Sequence, residues 1–359
     1  MRRTAALIVG GGPAGAAAAI TLARAAAPHL LIERTRETGD PLCGGFLSWR
    51  SLAALERLGI AAAALNPARI DRVRLIAGDN VREARLPALA LAVSRHRLDT
   101  LLLAAATQAG AAVERGVTVR AVEGRRVTID GSDDRPDALL LATGKHEVRG
   151  VKRAEVEDDP VLGIRVRLAP TLALTRLAAA AVELHLVDGG YIGVALQEDG
   201  AANCCMAVRR SRLHQAGNPA ALIEALAREA PHFAERLDAS GGPGAIDAVA
   251  NVPYGWRARV TSPGVFLLGD QAAVIPSLAG EGMGIALASG VAAAQAYLRD
   301  GAMASTGWQA GFSRRVARPM AVAGIARQLA ERQALHPLVA LLPPALIRAT
   351  ARWTRVDAG

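Results

Sequence analysis

The stretch from Ala5 to Glu33 constrains this chain more than any other. Ala5 to Val9 is an apolar run of strand length, Gly10-Gly11-Gly12-Pro13-Ala14-Gly15 follows at once, and Pro13 to Ala27 is alanine-rich and reads as a helix. Leu30 to Glu33 is a second buried strand that ends in an acid. Together they predict a βαβ opening in a parallel sheet, with G-x-G-x-x-G at the strand-to-helix turn. Gly10 permits the tight turn, Gly12 lets backbone amides approach a pyrophosphate, and Gly15 lets helix and strand pack closely. The helix N-terminus then favours a bound anion. Pro13 and Ala14 complete the turn, and Glu33, eighteen residues beyond Gly15, is placed to accept hydrogen bonds from a ribose diol, with Arg34 beside it. The motif alone leaves NAD and FAD equally open.

From Thr4 to Ala23 no residue is charged, and Met1-Arg2-Arg3 precedes the run, so a signal peptide or a membrane span has to be weighed. The glycine turn in its middle splits the run into strand and helix, so the expected location is cytoplasmic. The chain has 359 residues, 51% of them apolar, enough for a composite α/β protein with its own core. Cys43, Cys204 and Cys205 form no C-x-x-C and no even framework, and the seven histidines are scattered without an i, i+4 pair. Neither structural zinc nor any other metal site is expected. The formal charge of +9 comes from dispersed arginines, because Lys145 and Lys152 are the only lysines. Without an arginine stripe or aromatics for base stacking, no nucleic-acid partner is expected.

Further along, Trp49 to Leu58 reads as a helix, Val73 to Ile76 and Val81 to Leu86 as a hairpin, Arg97 to Ala109 as a helix, and Ala138 to Ala142 as a central strand. From about 160 to 255 alternating strands predict a separate antiparallel layer interrupted by one helix, Pro219 to Glu229. Asp188-Gly189-Gly190-Tyr191-Ile192-Gly193 imitates a second dinucleotide motif, but another strand follows it, so a hairpin is expected and no second Rossmann unit.

The choice of cofactor turns on Val265 to Leu268, a strand ending in Gly269-Asp270, followed by Gln271-Ala272, Pro276, Gly280-Glu281-Gly282 and Met283. An aspartate at a strand end suits ribityl or ribose hydroxyls, and the glycines let amides touch a flavin edge. Here the chain resembles the FAD-dependent family of para-hydroxybenzoate hydroxylase-like monooxygenases and geranylgeranyl reductases, whose flavin segment reads Gly-Asp-x-Ala, Pro, Gly-x-Gly. The likeness runs from Gly10 to about Leu298. It implies FAD as cofactor, with Cys43-Gly44-Gly45 resembling the Cys-Gly-Gly segment of the reductase branch and Arg95 resembling the arginine that reaches the FAD. Gly144 stands in Ala142-Thr143-Gly144, where the hydroxylases have Asp-Gly. Tyr191 alone remains of the reductases' Tyr-x-Trp-x-Phe-Pro.

The fold expected is a Rossmann-type FAD-binding domain (1–70, 93–160 and 256–300) with an interleaved antiparallel β-sheet substrate domain (71–92 and 161–255) and a helical C-terminal segment (301–359). Phe46, Trp49, Tyr191, Tyr254 and Trp256 are expected to wall an apolar substrate pocket. The first reading of activity is a single-component monooxygenase that hydroxylates an aromatic or polyketide-like molecule with O2 and transient NADPH or NADH. The second is an ene-reductase acting on an isoprenoid or lipid double bond, and the third a flavin-free prenyl-binding escort protein. No catalytic acid or base is named by the sequence. The tail from Ala334 to Ile347, apolar with three prolines and followed by Arg348, Arg352 and Arg355, is read as a cap over the flavin domain, with peripheral membrane contact as the alternative.

Overall fold

The computed structural model describes residues 5–151, 153, 159–249 and 252–356. Met1-Arg2-Arg3, Thr4 and Lys152 lie outside the described residues. The apolar runs named above do form a parallel sheet, because a strand with no polar side chain is stable only when both faces are covered. Its order is Val265–Leu267, Ala138–Leu141, Ala6–Val9, Leu30–Glu33, Ala112–Arg115. Ala112–Arg115 was not expected, being mostly exposed and half polar, as an edge strand is. Helix Pro13–Arg24 covers one face together with Gly282–Asp300. The two touch so closely that a Cβ on Gly290 would lie 2.1 Å from the Ala14 carbonyl oxygen.

The second sheet has eight strands, in the order Ile246–Val249, Val161–Leu168, Ala202–Arg209, Gly190–Leu196, Ala181–Val187, Ile70–Ala77, Asn80–Ala92, Phe46–Leu47. It departs from expectation in three ways. Ile70–Ala77 and Ala181–Val187 pair in parallel, joining two blocks distant in sequence, so the sheet is mixed and not purely antiparallel. Phe46–Leu47, assigned above to the flavin domain, supplies the edge strand. The layer also carries Leu172–Ala178, Arg210–Ala216 and Pro231–Ala239 besides the expected Pro219–Glu229, since seven to nine residues are too few for a helical period to stand out. The mimic motif does form the tight hairpin between Ala181–Val187 and Gly190–Leu196. A small sheet, Val119–Glu123, Arg126–Ile129 and Ser132–Asp134, completes the β structure.

Chain end and flavin-type segment meet through the long helix Ser305–Ala330, the 3₁₀ stretch Gln333–Leu341 and the helix Pro344–Trp353. The last packs its buried Ile347 onto the Asn80–Ala92 strand's hydrophobic cluster, while Val356 joins the core of the parallel-sheet layer. The expected cap over the flavin domain is therefore a bridge between both layers. Among the described residues no single helix is long and apolar enough to cross a membrane.

Candidate functional site

Gly10 takes φ +104° and donates its amide to the Ile32 carbonyl at 2.8 Å. A Cβ there would sit 2.5 Å from the Ala142 oxygen, and one on Gly15 would sit 1.9 Å from the Gly10 oxygen. Glycine is thus required at both ends of the turn, for conformation at the first and for helix–strand contact at the second. The N-cap Gly12 offers no side-chain cap, which leaves the first-turn amides of Pro13–Arg24 available to a ligand anion. Arg95 forks onto Asp99 at 2.9 and 2.6 Å, with Nη2 3.3 Å from where a Gly12 Cβ would stand. Burial lowers the guanidinium's pKa, but the Asp99 charge outweighs that and holds it above its ordinary value. A fixed cation therefore faces the glycine turn. Glu33 accepts from the Gly11 amide at 2.7 Å and from the Thr35 amide and hydroxyl at 2.9 Å, which orients its carboxylate in the same cavity.

The second segment follows the edge strand Val265–Leu267 and meets helix Pro13–Arg24, where a Cβ on Gly269 would lie 3.3 Å from the Ala14 side chain. The Gly269 amide donates to Ser289 Oγ at 2.8 Å, and Gln271 Nε2 fans onto Thr143 Oγ1, the Gly144 carbonyl and the His146 carbonyl at 2.9 to 3.0 Å. Arg153 donates to the Gly144 and Asp270 carbonyls at 3.3 Å. These bonds lock the turn after the central strand to the Gly-Asp segment. Gly280 has φ +61°, and a Cβ on it would lie 2.9 Å from the Phe46 ring. Gly45 has φ +74° and would clash with the Val93 carbonyl in the same way at 2.7 Å. Its amide donates to Cys43 Sγ at 3.5 Å. Behind them Glu281, fully buried, accepts from Arg355 Nη1 at 2.6 Å, from the Val356 amide at 3.0 Å and from Ser48 Oγ at 3.2 Å.

One cavity of about 1410 Å³ collects these elements. That exceeds the upper end, about 1,000 Å³, of a single small-ligand pocket, so a dinucleotide and a second molecule can share it. Its walls include Gly10, Gly12, Pro13, Ala14, Glu33, Arg34, Cys43, Gly44, Gly45, Arg95, Gly144, Gly269, Asp270, Gly280, Gly282 and Met283. Gly15 and Pro276 do not line it: Gly15 is consumed in helix packing, and Pro276 is buried ahead of the Ser277–Ala279 turn. Of the aromatics, Phe46, Tyr191 and Tyr254 line the cavity. Trp49 and Trp256 do not. Trp49 lies under the Arg355 guanidinium at 5.5 Å, and Trp256 packs with the cluster of Leu7, Leu139 and Val265. The sequence reading missed Ser277, Arg355 and the tail's apolar side chains, among them Leu335, Leu338, Val339, Leu342, Leu346 and Ile347. Only the position of Ser277, three residues ahead of Gly280, held a usable signal.

The cradle fits FAD on its own geometry. A pyrophosphate would rest on the uncapped amides after Gly12 beside Arg95, a ribose at Glu33, and the ribityl and ring system along Asp270 and Gly280–Met283, where helix Gly282–Asp300 is likewise uncapped by any side chain. Fold and site define an FAD-dependent oxidoreductase. Residues 3–147 match the family described as FAD binding domain. The menaquinone reductase of Mycolicibacterium smegmatis is 28% identical over 97% of this chain and 89% of its own length. Digeranylgeranylglycerophospholipid reductase 2 of Methanopyrus kandleri is 27% identical over 83% and 79%. The solved structure of PqsL, a probable FAD-dependent monooxygenase of Pseudomonas aeruginosa, shares the fold with a TM-score of 0.74 at 18% identity, covering 94% of this chain and 99% of that one. Residues 3–147 thus carry that FAD-binding domain, and the chain as a whole is similar to flavin-dependent reductases of this kind.

Proposed function

We propose that the protein is an FAD-dependent ene-reductase that saturates a carbon–carbon double bond in the isoprenoid chain of a lipid. The observation that carries this reading is the wall of the cavity beyond the flavin segment. One side is the sheet face of Val73, Leu75, Leu86, Val182, Leu184 and Leu186; the other is the tail, with Leu335, Leu338, Val339, Leu342, Leu346 and Ile347. Two facing apolar surfaces of this extent suit a long hydrocarbon chain better than a compact aromatic ring alone. Relatives whose names specify menaquinone and digeranylgeranylglycerophospholipid reduction support the same substrate class. When bound and reduced at the expense of NADPH or NADH, FAD would supply a hydride to one carbon of the double bond, and a proton drawn from solvent would complete the other.

The residues of the chain then have separable tasks. Arg95 and the glycine turn would hold the cofactor's charge, Asp270 its ribityl hydroxyls and Gly280–Gly282 its ring, while the apolar wall excludes water and aligns the chain. Exposed Leu341 and Trp353, which do not line the cavity, lie beside exposed Arg348 and Arg352 and suit peripheral contact with an anionic membrane from which such a lipid would enter. The test is anaerobic incubation of the FAD-loaded protein with a chemical reductant and a panel of polyprenyl lipids, followed by mass spectrometry. A product richer by two hydrogens is expected. A product that requires O2 and gains oxygen would replace this reading with the monooxygenase.

A further inference from the structure

Within the apolar part of the cavity stands one polar feature that the proposed activity has not used. Tyr191 comes from the strand Gly190–Leu196, Tyr254 from the turn before the flavin-type strand, and Ser277 opens the turn that runs into Gly280. Both phenol hydroxyls hydrogen-bond to the Ser277 hydroxyl, and all three residues line the cavity. Around them lie Leu186, Val339, Leu278 and Leu342, so the hydroxyls form a polar point in a hydrocarbon wall.

Proton counting decides what this point can do. Three hydroxyls carry three protons, and the two bonds among them consume two. Whichever way the bonds run, one O–H remains without a partner among the described residues. Burial pushes the pKa of both phenols up, so the donor is neutral across the working pH range. The two arginines of the tail are already balanced. Arg327 lies over the Tyr254 ring at 5.5 Å but pairs with Glu331 at 3.2 Å and does not line the cavity, while Arg355 pairs with Glu281 at 2.6 Å.

We propose that the Tyr191–Ser277–Tyr254 hydroxyls anchor the substrate's head group by donating one hydrogen bond to an uncharged carbonyl oxygen. The substrate class is then an isoprenoid bearing a neutral carbonyl head, not a prenyl phosphate or diphosphate. A carbonyl needs only one donor in an apolar site, whereas a phosphate stripped of water beside neutral hydroxyls would keep its charge uncompensated. The proposal rests on the isoprenoid-lipid reading of the cavity and narrows it to one head-group chemistry.

Binding to the oxidised, FAD-loaded protein tests it without turnover. Calorimetry in neutral detergent compares one tetraprenyl chain carrying a naphthoquinone, a diphosphate or no head group. The quinone is expected to bind at least about tenfold tighter than either of the others. Tyr254→Phe alone leaves a spare O–H on the remaining pair and should cost only a few-fold. The triple variant Tyr191→Phe, Tyr254→Phe, Ser277→Ala should lose about tenfold for the quinone and nothing for the bare hydrocarbon, with FAD affinity unchanged as the check on folding. Diphosphate binding as tight as quinone, or a triple variant that keeps its quinone preference, would overturn the proposal. Hydroxyl-dependent quinone binding without anaerobic reduction would sink the ene-reductase reading and leave the head-group anchor standing; reduction of a prenyl diphosphate independent of the hydroxyls would do the reverse.

Discussion

Arg355, two residues beyond the end of helix Pro344–Trp353, turns inward and supports the flavin loop from behind, and its removal should be costly for a reason that can be sized. Its Nη1 donates to Glu281 Oε2 at 2.6 Å and to the Gly280 carbonyl at 3.2 Å, its Nη2 donates to the Ala279 carbonyl at 2.5 Å, and its plane lies 5.7 and 5.5 Å from the Phe46 and Trp49 rings. Arg355→Ala leaves the Glu281 carboxylate, 0% exposed, without its cation. Stranding one partner of a buried pair costs about 3–5 kcal/mol, which we expect as the loss in urea unfolding of the apo-protein. The sign of the pH dependence follows from Glu281. Burial raises its pKa above the ordinary 4.5 even with Arg355 present, and loss of the arginine raises it further. A carboxyl that holds its proton more tightly when folded contributes most below its unfolded pKa and loses that contribution as pH rises through the folded one. The variant should therefore be less destabilised at about pH 5 than at about pH 8. Replacing both partners, Glu281→Gln with Arg355→Met, should recover most of the loss, because no lone charge remains. A single variant within about 1 kcal/mol of the parent at both pH values would refute this account of the tail.

Four further outcomes can be measured. Gly15→Ala puts a Cβ 1.9 Å from the Gly10 oxygen, so loss of about 3 kcal/mol or more and loss of FAD binding are expected by urea unfolding and flavin fluorescence. Gly290→Ala, 2.1 Å from the Ala14 oxygen, should destabilise comparably by forcing apart the two helices that present their N-termini to the cavity. Asp99→Asn removes the forked partner of half-buried Arg95 and should weaken FAD affinity about 10–100-fold, read by fluorescence titration; unchanged affinity would remove Arg95 from the pyrophosphate site. Buried Glu183 would be raised by desolvation, but His185 and Arg236 hold its pKa down at about 2 from the ordinary 4.5. Its stabilising share, about 3 kcal/mol, is present above pH 4.5 and lost as pH falls toward about 2, and Glu183→Gln should abolish that dependence.

Local sequence carried the flavin half of the site because each requirement there is short-range. A strand of apolar residues, a turn that needs glycine at Gly10 and Gly15, and a helix beginning at Pro13 are all written within one βαβ unit, and the Gly269-Asp270 and Gly280–Gly282 elements lie on one equally compact segment. Backbone conformation and close approach are decided by the residue itself, so periodicity and glycine spacing suffice to read them. The other half was decided by the tertiary fold. The parallel pairing of Ile70–Ala77 with Ala181–Val187, the turning of Trp49 and Trp256 away from the cavity, and the meeting of Tyr191, Tyr254 and Ser277 all depend on segments far apart in the chain. No local pattern encodes such meetings, because the energy that selects them, burial of one apolar surface on another and satisfaction of stranded polar groups such as Glu281 by Arg355, exists only once both surfaces are in place.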